Sequence, residues 1–584
     1  MEENIFSNEV LNKYMSEITS RVAEESGIPS DKYHLGKLIL QSLKDDEDFI
    51  MQIDGGTGVS ETNGTVLRKS VRCATSFRNM GLKTGDVMIL MAPNHLDQAV
   101  PFYAALFEGI IVAPIDMTLG VKELQATFSV DKPSIIFCQS ARVQDVQKAV
   151  ELAGVSAKVI SYDSSPDTMS FPDMLEKYGE DVNVQDFRAA DFDAEETIAV
   201  IVSTSGTTGL PKASILTHKN TAISGAQAIE FSSWSLCKIT FSRNESLFYR
   251  GFSETFPYPM KSAIIVSPLQ WLSAFLHYIL APYLKYTRVQ TSLPHTPEHL
   301  MDVIIKYRPS FCTISPPLML ALLKEAEKKN FNFSCFDVIY IGGSSVPTSM
   351  VQQVQRLTQK ARYKKEPKAI TKVSDAYGMS ELGSTVFHSI DSRIGSCGRR
   401  YAHLEYKLVD TESHEEIKVP NVTGELWLRM PGDFRGYYNN PEVSAEVITK
   451  DKWFKTGDLM YRDEDFYYYF VDRYKLLLKY KNHQISPAEL EAVIRQLPGV
   501  VNVAVTGVPD PESGELPIAF VVKSAGVSIT EQDVKDIVKE NLTDTKQLRG
   551  GVVFLDELPL TVTANVDRKK LKELAKARVN HATV

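Results

Sequence analysis

The sequence of 584 residues has few of the features that are typical of nucleic-acid-binding proteins, of disulfide-bonded proteins or of proteins with a metal cluster. Its net charge at pH 7 is −9 and no long run of lysine and arginine occurs, which argues against a nucleic-acid partner. The six cysteines are scattered, and no two are close enough in sequence to form a metal-ligand pair. We therefore expect reduced thiols.

Long hydrophobic runs are also missing. The longest, from Trp271 to Leu284, is interrupted by His277 and is too short to span a bilayer, so we expect no membrane span. The first residues are acidic and lack the apolar stretch of a secretory signal. The last residues, Ala582 to Val584, differ from a Ser-Lys-Leu peroxisomal signal. We expect an intracellular protein, located in the cytoplasm or in peroxisomes without a signal of that type.

The pattern that is present predicts an α/β fold. Short apolar runs such as Val87–Met91 and Val338–Ile341 alternate with helical segments, which favours parallel sheets covered by helices. After Gly424 the pattern becomes rich in strands, and Ser486 to Glu489 predicts a capped helix start. The chain is too long for one core. We expect a large N-terminal domain, residues 1–471, of parallel-sheet α/β subdomains plus a β subdomain. A small, mobile α+β domain follows at residues 472–584.

The strongest local signal follows an apolar strand, Thr197 to Val202. Its residues are Ser203, Thr204, Ser205, Gly206, Thr207, Thr208, Gly209, Leu210, Pro211 and Lys212. Two glycines let the backbone approach a ligand closely, while hydroxyls, free N–H groups and one lysine can surround phosphate oxygens. The spacing is not that of a Walker A loop. The segment therefore predicts a different kind of phosphate loop.

This loop resembles the signature loop of the adenylate-forming (AMP-binding) superfamily, which includes acyl-CoA synthetases, 4-coumarate–CoA ligases and beetle luciferases. The other motifs of that family follow in order, from about Leu67 to Leu571. The resemblance implies that nucleotide is bound by residues of the loop, Ser203 to Gly209 and Lys212, and of three further motifs. Those residues are Gly343, Ser344, Ser345, Asp375, Ala376, Tyr377, Gly378, Met379, Ser380, Asp458 and Arg473.

The resemblance also implies individual roles. Tyr377 would stack on adenine, and Glu381 would help to hold Mg²⁺, the ion that hard carboxylate oxygens bind well. Asp458 would accept hydrogen bonds from the ribose hydroxyls, which suits a carboxylate, and Arg473 would reach the ribose.

Residues 471–491, which read VDRYKLLLKYKNHQISPAELE, resemble the luciferase and 4-coumarate–CoA ligase branch. In this branch the small domain rotates about a hinge, here Asp472, and Lys479 then enters the site for the second half-reaction. Trp271 resembles the aromatic gate of fatty acyl-CoA synthetases, although a core tryptophan is the simpler interpretation.

The sequence departs from the family at its last motif. Where the family has Gly-Lys, this chain has Ala564 and Asn565. The family's lysine contacts the acyl carboxylate and the α-phosphate. Losing a fixed charge at a developing anion slows such a step by roughly two to three orders of magnitude. We therefore count Asn565 among the catalytic residues, with Lys212, Glu381 and Lys479, and expect weakened adenylation.

The resemblance predicts a ligase that uses ATP, Mg²⁺ and coenzyme A to activate a fatty or aromatic carboxylic acid. Two alternatives remain open. One is a degenerate paralogue that binds a nucleotide or an acyl ligand without efficient chemistry. The other is a luciferase-type monooxygenase. Residues Gln270 to Ala274 argue against it, because luciferases have a His-His-Gly-Phe-Gly run at that place. The stretch from Cys237 to Lys261 is not assigned.

Overall fold

A computed structural model describes residues 8–204, 212–222, 261–344, 346–362, 371–388, 393–401, 404–430, 434–480, 483–510, 513–561 and 566–582. These residues form two compact units. Unit 1 comprises residues up to Glu405 together with Arg429–Phe454, and unit 2 comprises Tyr406–Leu428 and Lys455 onwards.

The helices are, in chain order, α1 Asn8–Ser26, α2 Leu35–Lys44, α3 Asn63–Asn79, α4 Ala99–Glu108, α5 Val121–Asp131, α6 Val143–Ala153, α7 Phe171–Tyr178, α8 Leu272–Leu284, α9 Pro297–Tyr307, α10 Pro316–Lys328, α11 Thr348–Arg362, α12 Pro441–Val447, α13 Pro487–Ile494, α14 Glu531–Asn541 and α15 Arg568–Ala582.

The strands are, in chain order, β1 Ile50–Asp54, β2 Ser60–Thr62, β3 Val87–Met91, β4 Ile111–Pro114, β5 Ile135–Cys138, β6 Lys158–Ser161, β7 Met169–Ser170, β8 Ile198–Thr204, β9 Lys212–Thr217, β10 Ser262–Ile264, β11 Thr287–Gln290, β12 Phe311–Ile314, β13 Val338–Gly342, β14 Lys372–Ala376, β15 Gly378–Met379, β16 Ser384–Thr385, β17 Phe387–His388, β18 Gly398–Arg400, β19 Glu405–Val409, β20 Gly424–Arg429, β21 Phe454–Arg462, β22 Tyr467–Arg473, β23 Leu478–Tyr480, β24 His483–Ile485, β25 Val500–Asp510, β26 Gly514–Lys523 and β27 Gly551–Phe554.

Two seven-stranded sheets dominate unit 1. The first has the order β14-β13-β12-β10-β11-β1-β2, and its strands are parallel except for the β1–β2 pair. The second has the order β7-β6-β5-β3-β4-β8-β9, and its strands are parallel except for the β8–β9 pair. The central strand β3 is buried along its whole length, as expected for a parallel strand with helices on both faces. The carboxyl ends of such strands are where α/β proteins place ligands.

Unit 2 contains two smaller sheet regions. Strands β19 to β22 lie in the order β22-β21-β20-β19, and β21 pairs with β22 in antiparallel fashion. A second sheet has the order β24-β23-β26-β25, with β27 on β26, and it packs against α13, α14 and α15. Helix α13 begins at the predicted Ser486 cap, whose Oγ accepts the N–H of Glu489 at 3.3 Å, but the capping box expected from Glu489 is not formed. The Glu489 carboxylate accepts a hydrogen bond from Lys546.

These features confirm the predicted fold class of a large part built on parallel sheets followed by a small α+β part. The five cysteines that lie in described parts of the chain form no disulfide there. Within the described parts of the chain, no helix combines the length and apolar composition needed to cross a bilayer. A domain division at residues 471 and 472 stays a prediction.

Candidate active site

The two ends of the predicted phosphate loop lie side by side. Strands β8 and β9 pair so that Thr204 lies opposite Lys212, and Ser203 lies opposite Ala213. Residues 205–211, which include the predicted Ser205, Gly206, Thr207, Thr208 and Gly209, lie outside the described residues. The hairpin therefore delivers Lys212 to the end of a buried strand, next to where the loop begins.

Tyr437 brings together two of the predicted catalytic residues. Its hydroxyl donates a hydrogen bond to Glu381 Oε1 at 2.9 Å. Lys212 Nζ lies 5.1 Å from the centroid of the same ring, a cation–π distance. One tyrosine thus contacts both the predicted phosphate-binding cation and the predicted magnesium carboxylate.

Backbone pairing fixes Tyr437 beside β9. Ser214 and Tyr437 form a β-bridge, the N–H of Tyr438 donates to the Ala213 carbonyl at 2.7 Å, and the N–H of Ile215 donates to Gly436 at 3.1 Å. Phe434 packs edge-to-face on the Tyr437 ring. Main-chain bonds and aromatic packing therefore set the position of the ring.

The turn at Gly343 and the predicted adenine motif, residues 375–381, lie next to each other because β13 and β14 pair closely. Gly342 pairs with Ala376, where a Cβ on Gly342 would lie 2.3 Å from the Ala376 carbonyl oxygen. Gly343 follows in a left-handed conformation, with φ of +88°. Ser344 and the half-buried Tyr377 continue from the two strand ends.

After Tyr377 the backbone reverses direction and forms a short antiparallel pair of strands. Gly378 pairs with Thr385, and Met379 pairs with Ser384, in a short β15–β16 ladder. Ser380 opens the 3₁₀ turn that carries Glu381, and its carbonyl accepts a hydrogen bond from Ser214 Oγ at 3.4 Å. This turn delivers Glu381 to Tyr437.

Asp375 lies in β14 opposite Ile341, one pair before the glycine contact. Burial raises the pKa of Asp375 to about 7. The carboxyl group consequently changes charge near neutral pH, which the sequence motif alone did not indicate.

In unit 2, Asp458 and Arg473 lie directly opposite each other on β21 and β22. Arg473 Nε donates to Asp458 Oδ1 at 3.2 Å. The Asp458 side chain is only 4% exposed, whereas that of Arg473 is 54% exposed. The pair therefore places a buried carboxylate beside an exposed guanidinium.

Asp472, the predicted hinge, is held by three hydrogen bonds. Its Oδ2 accepts from Ser486 Oγ at 2.5 Å and from the N–H of Ala488 at 3.1 Å. Its Oδ1 accepts from the N–H of Arg473 at 2.7 Å. The buried carboxylate therefore caps the N-terminus of α13, where a negative charge is favourable.

Two further predicted residues have simpler settings. Lys479 lies on β23 with an exposed side chain, and its N–H donates to Glu515 Oε2 at 3.2 Å. Trp271 is the N-cap residue of α8, partly exposed, and its carbonyl accepts the N–H groups of Ala274 and Phe275. Ser345, Ala564, Asn565 and most of the stretch 237–261 lie outside the described residues.

Sequence reasoning missed Tyr437. The signal that could have found it is the tyrosine pair that follows Gly436 and precedes Asn439, since a buried tyrosine needs a hydrogen-bond partner. Nothing in the local pattern names Glu381, 56 residues away, as that partner.

Two largely parallel α/β sheets followed by a small α+β part agree with the fold expected of an adenylate-forming enzyme. The model of the AMP-binding enzyme family matches residues 41–438, more than half of the chain, and that of the AMP-binding enzyme C-terminal domain matches residues 489–565. The chain belongs to the family of AMP-binding enzymes.

Its relatives include a luciferin 4-monooxygenase of Photuris pensylvanica, 31% identical over 519 residues, which covers 87% of this chain and 88% of the relative. 4-Coumarate–CoA ligase 4 of Arabidopsis thaliana is 28% identical over 538 residues, covering 89% and 87%. The crystal structure of ATP-bound MatB from Rhodopseudomonas palustris superposes with a TM-score of 0.74 at 22% identity, covering 92% of this chain and 98% of that one. At 22% identity, the similarity to the MatB structure shows the fold alone.

Proposed function

We propose that the chain is an ATP-dependent carboxylate–CoA ligase. The observation that carries this proposal is the arrangement of Lys212 and Glu381 around Tyr437. A triphosphate needs a compact cation for its oxygens and a carboxylate for its magnesium ion, and both groups lie at one tyrosine ring. The 4-coumarate–CoA ligase relative supports coenzyme A as the acceptor.

The donor set fits Mg²⁺ bound together with a nucleotide. Over the described residues, no group of three or more His, Cys, Asp or Glu side chains could hold a metal by itself. Magnesium commonly binds through one or two carboxylates plus substrate phosphates and water, so Glu381 alone suffices on the protein side. The ion supplies charge neutralisation at the transferring phosphate.

In the first half-reaction the carboxylate of the acid attacks the α-phosphorus of ATP, the bond to the β-phosphate oxygen breaks, and pyrophosphate leaves. Lys212 and the loop hydroxyls stabilise the negative charge on the phosphates. The acid lies near the turn from Gly343 to Ser345 and near Trp271. In the second half-reaction the thiol of coenzyme A attacks the acyl carbonyl, loses its proton, and AMP leaves.

Two of the predicted motifs provide the ribose contacts and the change between steps. Asp458 and Arg473 hold the ribose, and a small domain that begins at Asp472 rotates to bring in Lys479 for acyl transfer. Asn565 stands where the family has a lysine, so the first half-reaction is weakened.

The test is pyrophosphate release from MgATP with a panel of fatty and aromatic acids, followed by mass spectrometry of products with and without coenzyme A. Acyl-CoA formation with at least one acid is the expected result, and Glu381→Gln should abolish it. ATP binding without pyrophosphate release from any acid would favour the degenerate paralogue.

The 31% identity to a luciferin 4-monooxygenase favours one second candidate, an oxidative fate for the acyl-adenylate. Oxygen consumption and light emission with luciferin and MgATP distinguish it. The ligase proposal predicts neither signal.

A further inference from the structure

Within β21, the left-handed residue Gly457 makes a local turn of the backbone just before Asp458. Gly457 has a φ of +72°, and no heavy atom lies within 4 Å of the position that a Cβ would occupy there. Asp458 is nevertheless only 3% exposed. The left-handed conformation of Gly457 therefore depends on a restraint other than contact on its Cβ side.

Hydrogen bonds to β20 provide that restraint. The N–H of Gly457 donates to Glu425 Oε1 at 3.0 Å. The N–H of Asp458 donates to Thr456 Oγ1 at 3.1 Å, and the same hydroxyl donates to the Leu426 carbonyl at 2.7 Å. The three residues of the turn are thereby tied to two consecutive residues of the neighbouring strand.

The Glu425 carboxylate is itself oriented by Trp427. The indole Nε1–H donates to Glu425 Oε2 at 2.8 Å, so each carboxylate oxygen accepts one N–H. The ammonium groups of Lys407 and Lys455 lie 5.6 and 5.4 Å from the centroid of a Trp427 ring. These cation–π contacts come from the strands on either side and restrain the indole plane.

We propose that Glu425 is a positioning residue for ribose recognition, and that Trp427 sets its orientation. The inference rests on the proposed function, in which Asp458 binds the ribose hydroxyls. Two hydrogen bonds from a vicinal diol require a carboxylate in one defined place, and a displacement of about 1 Å is enough to lose much of their value. Glu425 acts through the turn and does not touch the nucleotide.

The isosteric substitution Glu425→Gln separates this role from simple packing. A glutamine keeps the shape of the side chain but offers one acceptor oxygen and an NH₂ group. One of the two N–H donors, from Gly457 or from Trp427, would then face another donor. The turn should loosen without the loss of a core side chain.

The experiment is calorimetric binding of ATP and of 2′,3′-dideoxy-ATP to the full chain. We expect Glu425→Gln to weaken ATP binding about tenfold, the effect of losing one hydrogen bond to a charged group. Binding of the dideoxy nucleotide should change less than about twofold, since it has no ribose hydroxyls to misplace. Trp427→Phe keeps an aromatic ring but removes the indole N–H, and should produce a smaller loss in the same direction.

Two controls define the scale. Asp458→Ala removes the carboxylate and sets the maximum loss of ATP over dideoxy-ATP discrimination. Glu416→Gln changes the same residue type at an exposed position of unit 2 and should leave both affinities unchanged.

A fall in melting temperature for Glu425→Gln with unchanged discrimination overturns the positioning role, because only a structural role then remains. Equal loss of both nucleotides overturns it as well. Failure of the unmodified chain to bind ATP overturns the proposed function and this inference together, whereas a discriminating chain unaffected by Glu425→Gln overturns the inference alone.

Discussion

The hydroxyl of Tyr437 donates a hydrogen bond to Glu381 Oε1 at 2.9 Å, although the two residues are 56 positions apart in the chain. The same ring contacts Lys212. Tyr437 therefore orients the carboxylate proposed to hold magnesium and restricts the lysine proposed to hold phosphate.

Removing this hydroxyl should affect the metal and the nucleotide together. We expect Tyr437→Phe to raise the KM for MgATP about tenfold, because the carboxylate loses a hydrogen bond to its charged form. The ring and its contact with Lys212 remain. Steady-state kinetics at several Mg²⁺ concentrations measure the effect, with Tyr438→Phe as the matched control. Equal changes in both variants would show that Tyr437 has no special role.

Asp472 should contribute strongly to the stability of unit 2. Its carboxylate accepts three hydrogen bonds and caps α13. We expect Asp472→Ala to lower the free energy of unfolding by about 2–4 kcal/mol, the sum of a lost cap and of lost bonds to a buried charge. Urea denaturation of the full chain measures this change. Asp556→Ala, an exposed aspartate of unit 2, should have little effect, and similar values for both variants would contradict the capping role.

Lys479 should separate the two half-reactions. Its side chain is exposed, so Lys479→Ala should leave stability within about 0.5 kcal/mol of the original. We expect acyl transfer from preformed acyl-adenylate to coenzyme A to fall by at least about tenfold, while pyrophosphate release changes little. Lys539→Ala is the surface control. Parallel losses in both half-reactions would argue against a rotating small domain.

Restoring the family's charge at residue 565, which lies outside the described residues, should accelerate the first half-reaction. We expect Asn565→Lys to raise the rate of pyrophosphate release by roughly two orders of magnitude, because a fixed cation stabilises the developing anion. Acyl transfer should change little. If the unmodified chain already matches the rates of its class, another cation supplies this charge and our interpretation of Asn565 is wrong.

Acid should destabilise unit 1 through His34. This side chain is fully buried, and burial lowers its pKa from 6.5 to about 4, with Lys37 contributing in the same direction. Its Nδ1 accepts the N–H of Lys37 at 3.1 Å, and Nε2 lies 3.0 Å from the Ala190 carbonyl, which suits the neutral ring. The unfolded chain therefore takes up a proton near pH 6.5 that the folded chain does not bind until about pH 4.

The neutral ring contributes on the order of 3 kcal/mol to the free energy of unfolding above pH 6.5. This contribution is lost as the pH falls to about 4. His218, whose pKa burial also lowers, acts in the same direction. Denaturant unfolding between pH 7.5 and 4.5 measures the slope. His34→Asn keeps a cap acceptor and should flatten it, and an unchanged slope would assign the effect to other groups.

Much of the secondary structure could be predicted from the local sequence. The predicted strand Val87–Met91 is confirmed without change, and Val338–Ile341 is extended by one residue to Gly342. The Ser486 cap is confirmed as well. These features depend on neighbours in sequence, through burial of apolar runs and satisfaction of backbone N–H groups.

What the sequence by itself determined is the family, the order of its motifs and the residue types available for phosphate, ribose and metal. The tertiary structure alone decided which of these side chains meet. The Tyr437–Glu381 bond, the Asp472 cap on α13 and the link from Trp427 through Glu425 to Gly457 all join separate segments. Whether two groups form a hydrogen bond depends on their distance and relative orientation. Strand register determines that distance and orientation, and register results from packing over the whole unit.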